Sequence, residues 1–467
     1  MYRIHVLGDA NLSGDQHSAA VADAETLSDA VRAIALAHYL AGYPATQLRY
    51  LLLDQDLYIS TSAAPIQAVR GRDELRRYFA PLVGRENLRA ADLEPLRALA
   101  SIEADRRGIG SQLRFAPADR GLALEIDETV TQPQPFGARV NVGNPGNRYA
   151  GREFVEAEAR LTSGAIEWTG SQRTGLRGDG DYDEQSVAVS WVAPQGVFGF
   201  SGRTARYALG ERAGGFEGQT RHVGVQWSVL PYADFSERWL LTLRIDSSND
   251  RVSDAAGTTL RDERFDSLGA DLSRAQVWAD GDRNAQLQLA LSVEAGQGQT
   301  RGNPALFSAD RQFLSLRPRI SFSNALASSW TGTLELSGQY SADTLPQQQQ
   351  FVLGGSRTLG AWLPGVAVGD SGALARAELG YSLDAFGLTL TPRLFAELAT
   401  WELNGTAVST ASDTGWLADA GAELAIQAST WLEASLSAAI PLPDSAGRNS
   451  EFDDARADAY FSITLRY

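Results

Sequence analysis

Side chains that carry covalent, redox or metal chemistry are scarce in this chain. There is no cysteine, so thiolate nucleophiles, disulfides and cysteine-based metal sites are excluded. The four histidines, His5, His17, His38 and His222, are too scattered to suggest a cluster. Gly369-Asp370-Ser371-Gly372 has the form of a serine-nucleophile segment, but such a serine needs a histidine base, and His222 is the only histidine after residue 38. Asp179-x-Asp181-x-Asp183 supplies the first three acidic positions of a calcium loop. Glu184, however, stands where that loop needs glycine, and Ser190 where it needs a bidentate glutamate, so the segment reads as a solvated loop between strands. Gly137–Gly151 and Gly296–Gly302 are glycine-rich but open no helix that could cradle a phosphate. His38 lies at the edge of a helical apolar stripe and is expected to be a satisfied, partly buried side chain rather than a ligand. The expectation is a protein without enzymatic activity, metal or cofactor.

Charge and hydropathy narrow the class further. Acidic residues number 57 against 41 basic ones, every one of them arginine, for a net charge of −16. A phosphate backbone would be repelled, so nucleic acid is not an expected partner. Hydrophobic residues make up 43% and mean hydropathy is −0.21. No run approaches the ~18 apolar residues of a membrane-crossing helix. A β-barrel remains open, because its strands alternate apolar and polar residues and average to a soluble-looking hydropathy. Met1–Gly8 reads as a strand and lacks the charged and apolar regions of a signal peptide, so an exported protein starting here corresponds to a mature or shortened chain.

The elements that must position any site change character near residue 130. Thr26 can cap a helix carrying Leu27, Val31, Ile34 and Ala35, ended by Gly42-Tyr43-Pro44 and followed by strand-like runs at 48–53 and 57–61. A second module opens with Leu75, Tyr78, Phe79 and Leu82 at helical spacing. Asp92 is placed to cap the next helix, with Leu93, Leu96 and Leu99 on one face and Pro95 in its first turn. Residues 112–115 and 122–126 form a hairpin around Pro117–Gly121. Two small α+β modules are predicted, over residues 1–71 and 72–130.

From Phe136 onward strands alternate with turns. Leu287, Leu289, Leu291 and Val293 share one face of 286–294. Trp330, Leu334, Leu336 and Tyr340 do so in 330–340, and Ala459, Phe461, Ile463, Leu465 and Tyr467 in the last segment. Sixteen such segments fit between residues 136 and 467, about 21 residues per strand and connection. Tight links (162–164, 194–196, 384–387) take turns with long polar ones (175–184, 209–217, 247–263, 296–310, 341–372, 403–414, 442–456). This is the pattern of a transmembrane antiparallel β-barrel with short periplasmic turns and long extracellular loops, over residues 131–467. A β-sandwich explains neither the regularity nor the strand number.

Several stretches resemble one family. Phe351–Trp362, with Gly369-Asp370-Ser371-Gly372 and Glu378-Leu379-Gly380-Tyr381, is similar to the long sixth extracellular loop and following strand of the outer-membrane assembly and two-partner secretion (TpsB) transporters. Pro392–Trp401 resembles the strand motif Phe-x-Asp/Glu-x-Gly of that superfamily, and Asn141–Gly151 the entry to its first barrel strand. Tyr39–Thr46 and residues 72–128 resemble its periplasmic polypeptide-transport-associated (POTRA) domains. Two POTRA-like modules ahead of sixteen strands point to the two-partner branch. In place of the loop motif Val-Arg-Gly-Tyr/Phe this chain has Leu359-Gly360-Ala361-Trp362, without the arginine, and Ala399 replaces the glycine of the strand motif. The helix that often precedes the first POTRA domain has no counterpart in this sequence.

The resemblance implies an outer-membrane transporter of a Gram-negative bacterium. Its periplasmic modules would capture an unfolded secreted partner, large and β-helical, and pass it through the barrel without nucleotide, with the loop 341–372 folded into the lumen. The barrel would sit in outer-membrane lipid after insertion by barrel-assembly machinery. The alternatives are an assembly factor of the same superfamily and a passive porin, the latter disfavoured by the extra modules. Leu75, Tyr78, Phe79, Leu113 and Phe115 are the expected substrate-binding residues, and Phe461, Ile463, Leu465 and Tyr467 the C-terminal membrane-insertion signal. The period of two places Arg393, Phe395, Glu397 and Ala399 toward the lumen, opposite Leu394, Ala396 and Leu398. The expected lock between loop and wall comprises Arg357, Gly360, Trp362, Asp370, Arg393, Phe395 and Glu397. A buried Glu397 needs a cation or several donors. Arg357 is the nearest loop base, while Arg376 and Arg393 are alternatives on the wall, in which case Trp362 packing would hold the loop.

Overall fold

The computed structural model describes all residues except 1–2, 8–10, 23, 25, 131–134, 148–149, 178–180, 211–213, 281–282, 303–308, 405–413 and 443–449. Asp179, the ends of Met1–Gly8, most of the link 403–414 and residues 443–449 of the link 442–456 therefore lie outside the described residues.

Two small units open the chain. In the first, β1 (Arg3–Leu7) runs parallel to β3 (Asp56–Ser62), and β2 (Gln47–Leu53) antiparallel to it. Helices α1 (Gly14–Ala20) and α2 (Leu27–Leu40) cover one face, burying Ala30 and Ile34 against Leu57 and Ile59. Thr26 caps α2 and accepts from the Asp29 N–H. His38 is buried with its Nε2 3.3 Å from that of His17, so the two imidazoles satisfy each other between the helices. The short helix α1 had no periodic signal in the sequence.

The second unit begins earlier than a division after residue 71 allows. Strand β4 (Ile66–Arg70) pairs in parallel with β6 (Gly121–Val130), which pairs antiparallel with β5 (Ile109–Ala118), so β4 belongs to the second sheet. Helices α3 (Asp73–Phe79) and α4 (Ala90–Arg106) bury Leu75, Tyr78, Phe79, Leu93 and Leu99 against it. The N-cap of α4 is Arg89, not Asp92. Asp92 lies three residues inside and its carboxylate accepts the Arg89 N–H at 3.3 Å, an N-terminal contact one turn earlier than the apolar spacing suggested. Pro95 consequently falls in the second turn, where it costs the helix one hydrogen bond.

A carboxylate is buried in this unit. Glu103, on α4, accepts from Tyr78 Oη at 2.6 Å, Arg77 at 2.6 Å and Arg107 at 2.7 Å. Burial alone would push the Glu103 carboxyl up, but these donors outweigh it and hold the group below its usual value of 4.5.

The barrel wall is built from sixteen strands. They are β7 (Phe136–Gly143), β8 (Glu153–Ser163), β9 (Ile166–Arg177), β10 (Asp181–Ala193), β11 (Gly196–Ala208), β12 (Glu217–Ala233), β13 (Glu237–Ser253), β14 (Thr259–Asp280), β15 (Arg283–Gly302), β16 (Gln312–Ala327) and β17 (Trp330–Gln339), then β20 (Ser371–Tyr381) continued by β21 (Leu383–Ala385), β22 (Leu388–Glu402), β23 (Thr414–Gln427), β24 (Leu432–Pro441) and β25 (Tyr460–Arg466). β20 and β21 both pair with β22 and form one wall strand broken at Ser382. The remaining hairpin, β18 (Phe351–Leu353) with β19 (Ala367–Gly369), belongs to the loop between β17 and β20. Much of the links 247–263 and 296–310 is strand rather than loop, because β13, β14 and β15 continue their pairing well past the apolar belt. Asp181 and Asp183 likewise sit in β10, where Gln172 and Thr174 donate to Asp183, so they are wall residues and not part of a loop.

Alternation does what a barrel in lipid requires. Leu394 is 63% exposed and Leu398 48%, while the alternate residues Phe395, Glu397 and Ala399 are buried. Exposed Trp168, Trp191, Trp278, Trp330 and Trp431 all lie within a few residues of the short turns, an aromatic belt at that rim. The second unit docks on the same rim. Arg106 at the end of α4 donates to the Ala165 carbonyl at 2.7 Å and Ser190 Oγ at 2.6 Å, and Val192 is buried in the apolar core of the unit. The Tyr39 ring of the first unit stacks on Phe235 at the next turn, 4.2 Å between centroids.

Closure joins β25 to β7, from Ser462 opposite Gly143 to Arg466 opposite Arg139. Asn144 extends this seam with its side chain, accepting from the Phe461 N–H at 2.7 Å and donating to the Ala459 carbonyl at 2.9 Å. Phe461, Ile463, Leu465 and Tyr467 face outward.

Two outcomes follow. Removing residues 460–467 leaves β7 and β24 as bare edges in hydrocarbon, each orphaned backbone group costing several kcal/mol. Outer-membrane levels of this deletion should collapse, and those of Tyr467→Asp should fall, as read by quantitative blotting of membrane fractions. Because the folded Glu103 carboxyl titrates below 4.5, its contribution is complete above that value and is lost as pH falls through the depressed value. Proteolysis of α4 in the intact chain under urea should therefore rise on acidification below pH ~4.5. Glu103→Gln should be weakened by about 1.5–3 kcal/mol and lose that pH dependence.

Candidate functional site

The loop between β17 and β20 enters the barrel and is fastened at two levels. At its base, Asp370 is fully buried and accepts from the Leu345 and Asn404 N–H groups, both at 2.8 Å. The Asn404 amide donates to the Ser341 carbonyl at 2.7 Å, and Ser371 Oγ to the same carbonyl at 3.1 Å. The segment that resembled a serine nucleophile is thus structural. Beside it, Gln349 is gripped by the wall. It donates to Glu294 at 2.9 Å, and Gln339 donates to its carbonyl at 2.9 Å. Arg317, from β16, ties Glu294 and Gln339 together at 2.8 Å and 2.7 Å.

The tip is held by carboxylates. Arg376 on β20, Glu397 on β22 and Asp419 on β23 are register neighbours, all pointing inward and all buried. Glu397 Oε1 accepts from Arg376 at 2.8 Å, while its Oε2 accepts from the backbone N–H groups of Leu359 at 3.1 Å and Gly360 at 2.8 Å. Asp419 accepts the next N–H, that of Ala361, at 2.7 Å. Three consecutive backbone donors therefore converge on two wall carboxylates, a concave anion site of the kind short turns form. Leu359 makes this possible by adopting φ +81°, a left-handed conformation that is costly for a leucine and held here by its complete burial. Hydrogen bonds to a charged group are worth about 1.5–3 kcal/mol each, so the latch is strong although its donors on the loop are main-chain groups.

Shape completes it. The Arg376 guanidinium lies 4.1 Å over the Phe395 ring and also donates to the Ser356 carbonyl. Gly360 packs so closely that a Cβ there would stand 3.4 Å from the Phe395 ring and 3.3 Å from Ala439. Trp362 is fully buried in an apolar cluster with Leu353, Leu359, Ala399, Trp401 and Leu417. Its backbone is tied to the last loop. Tyr460 Oη donates to the Trp362 carbonyl at 2.6 Å, and Leu363 donates to the Ala455 carbonyl, just after the helix α5 (Ser450–Asp454).

Most of the anticipated lock residues are thus brought together, but Arg357 and Arg393 are not. Arg357 is exposed and does not reach Glu397, because the turn at Leu359 aims its backbone, not the preceding side chain, at the wall. The cation is Arg376, directly across the ladder, and Trp362 packing holds the tip. Arg393 is spent on Glu423 at 2.6 Å one row away. Asp419 was missed: in 414–427 it is one of two acids among apolar and small residues, and its place opposite Glu397 is what gives it a role.

The anticipated capture residues divide. Leu75, Tyr78 and Phe79 are essentially fully buried, so they are core rather than open surface, and Tyr78 is turned toward Glu103. Leu75 and Phe79 still form the floor of a cleft of about 350 Å³ between the helices and β5, with Leu113, Arg97 and Ile126 along its sides. Phe115 packs partly buried against the core. β5 is the edge of its sheet.

The latch geometry predicts distinct variant phenotypes. Glu397→Ala leaves the buried Arg376 with Glu378 as its carboxylate partner and frees two loop N–H groups, a loss of about 1.5–3 kcal/mol for each hydrogen bond to the charged group. External protease should then cut within 341–370, and conductance in planar bilayers should rise. Arg376→Ala should behave alike, with little further change in the double variant. Arg357→Ala should behave as wild type in both assays.

Comparison with known proteins agrees with this architecture. No curated protein matches the sequence significantly. The fold is similar to CdiB from Escherichia coli, with a TM-score of 0.72 at 17% identity, covering 99% of this chain and 90% of that one. It is also similar to CdiB from Acinetobacter baumannii, with a TM-score of 0.65 at 13% identity, covering 100% and 89%. BamA from Haemophilus ducreyi lacking POTRA domains 1–3 follows, with a TM-score of 0.52 at 12% identity, covering 100% and 99%. The family model for haemolysin secretion/activation proteins ShlB/FhaC/HecB matches residues 124–418, from the last strand of the second unit through to β23. The chain belongs to that family, the two-partner secretion (TpsB) transporters of the Gram-negative outer membrane.

Proposed function

We propose that this two-partner secretion transporter captures its partner on the second periplasmic unit and passes it, unfolded, through the barrel to the cell surface without nucleotide. The partner is a large secreted protein of β-helical type, and the two N-terminal units are POTRA domains facing the periplasm. The observation that carries this reading is the cleft beside β5. An extended chain can add to an open strand edge through its backbone and place alternate side chains in the adjoining groove. Leu113 and the floor formed by Leu75 and Phe79 supply the apolar lining, and they suit a segment that alternates apolar and polar residues.

Arg106 supports the same reading, because it fixes the cleft relative to the mouth of the barrel through the Ala165 and Ser190 contacts. Export then requires the loop tip to leave Glu397 and Asp419, since the latched loop occupies the path. A role in assembling other barrels is the alternative within the superfamily, and the two-unit arm favours secretion over it.

Deleting residues 1–128 should leave a barrel that still inserts but exports no partner. Leu113→Asp should reduce secreted partner about tenfold at unchanged barrel levels, equivalent to about 1.4 kcal/mol of lost binding. Partner secretion at the wild-type rate by both variants would remove the cleft from the mechanism.

A further inference from the structure

We propose that residues 455–460 of the last loop form a strap that bolts the tip of the lumen loop from the cell-surface side and must let go before the tip can leave Glu397 and Asp419. This rests on the export function proposed above, in which the tip does leave them. The ladder registers set the level of the strap. Along β22 and β23 the inward rows run from Glu397 opposite Asp419, through Ala399 opposite Leu417, to Trp401 opposite Gly415. Each step leads away from the short turn between Ala385 and Leu388. Trp362 packs against Ala399, Trp401 and Leu417, so it stands one to two rows beyond the carboxylates, about 7–13 Å at ~3.3 Å per residue. The last loop joins β24 to β25 at this same end of the wall.

Ala361 shows how the tip is clamped. Its N–H donates to Asp419 on the wall at 2.7 Å, and its carbonyl accepts the Ala457 N–H of the last loop at 2.9 Å. Two different elements thus grip opposite ends of one residue. Trp362 and Arg456 form an antiparallel bridge, and on its other side the Leu363 N–H donates to the Ala455 carbonyl at 2.7 Å. Tyr460 Oη adds a third bond, to the Trp362 carbonyl at 2.6 Å, from a buried ring on the closing strand. Phe452 of α5 leans on Trp401, with 6.0 Å between centroids. While 455–457 stay paired with 361–363, the tip is held from both sides.

Bond strength sets the order of release. The strap holds the tip by three hydrogen bonds between uncharged groups. The latch holds it by three to carboxylates, which are roughly twice as strong. Fully buried Trp362 adds to the latch, and partly buried Phe452 adds less to the strap. The Arg456–Asp453 pair is more than half exposed on both sides and contributes little. Local opening begins at the weakest fastening, so the strap detaches while the tip is still on its carboxylates.

The chain has no cysteine, so introduced thiols report without background. Ala361→Cys/Ala457→Cys places two thiols on opposite residues beside the bridge, about 5.5 Å apart at Cα and inside the ~4.4–6.8 Å that a disulfide spans. Gly360→Cys/Ala439→Cys does the same at the latch, where a Cβ on residue 360 stands 3.3 Å from that of Ala439. In planar bilayers the full-length protein with either disulfide formed should open at least tenfold less often than the wild type, and reductant should restore the openings. Non-reducing gels verify each cross-link, and heat-modifiable migration verifies the folded barrel. The order is read separately on intact cells. There a membrane-impermeant maleimide should modify Ala457→Cys at least tenfold faster than Ala439→Cys. Openings that persist with 361–457 cross-linked but vanish with 360–439 cross-linked overturn the strap and leave the export function standing. Openings that persist with both cross-links overturn the departure of the tip itself, and the strap with it. Equal labelling rates, or faster labelling of Ala439→Cys, overturn the order of release.

Discussion

A carboxylate inside a barrel wall cannot be left bare, and the closed form of this protein is organised around two of them. Glu397 and Asp419 face each other across one rung of the ladder, offset by Arg376, which also pairs with Glu378. Removing ionised groups from water costs several kcal/mol apiece unless donors replace the lost hydration. The loop supplies those donors from its backbone, at Leu359, Gly360 and Ala361. Because the donors are main-chain groups, the contact depends on the path of the chain rather than on a charged loop side chain. That path in turn depends on the left-handed Leu359 and on the absence of a side chain at Gly360. A latch of this kind is strong when shut and has a ready alternative when open, since water can hydrate both the carboxylates and the turn.

The remaining fastenings make the latch cooperative. The base of the loop is tied through Asp370 and Gln349, and its tip is packed by Trp362 and bonded to Tyr460 on the closing strand. Tip, last loop and seam are thus one connected set of contacts, and the seam is itself short, with Asn144 extending it by side-chain hydrogen bonds. At the opposite rim, the end of α4 is held to the turns by Arg106 and by burial of Val192 among the residues of the second unit. The cleft beside β5 and the barrel mouth therefore keep a defined relation, while the loop in the lumen is held by interactions that can be exchanged for water.

What local sequence determined is considerable. A period of two, repeated with turns alternately short and long, specifies an antiparallel barrel, because in lipid one face of each strand must be apolar and every backbone group must pair. The helices of the two units were legible from apolar stripes, and the inward face of 390–401 from simple alternation. Errors arose where local signals are degenerate. Polar residues at 247–263 look like loop but continue as strand above the membrane, where no apolar face is required. Asp92 and Arg89 compete for the same helix start. β4 carries too few residues to reveal which sheet it joins.

Tertiary structure alone decided the partners. Arg376, Glu397 and Asp419 come from three strands, and their adjacency depends on register across the barrel, which no single segment encodes. Proximity along the chain favoured Arg357 as the cation, yet a turn of a few residues reverses where a side chain points, and the left-handed Leu359 presents backbone donors instead. Leu75 and Phe79 have the same apolar character whether they line a cleft or fill a core; the packing of α3 and α4 on the sheet makes them the floor of one. Sequence periodicity thus settles which face a residue is on, because that depends on backbone geometry over a few neighbours. Which residues meet across that face is settled by strand register and loop path, because those are fixed only when the whole barrel closes.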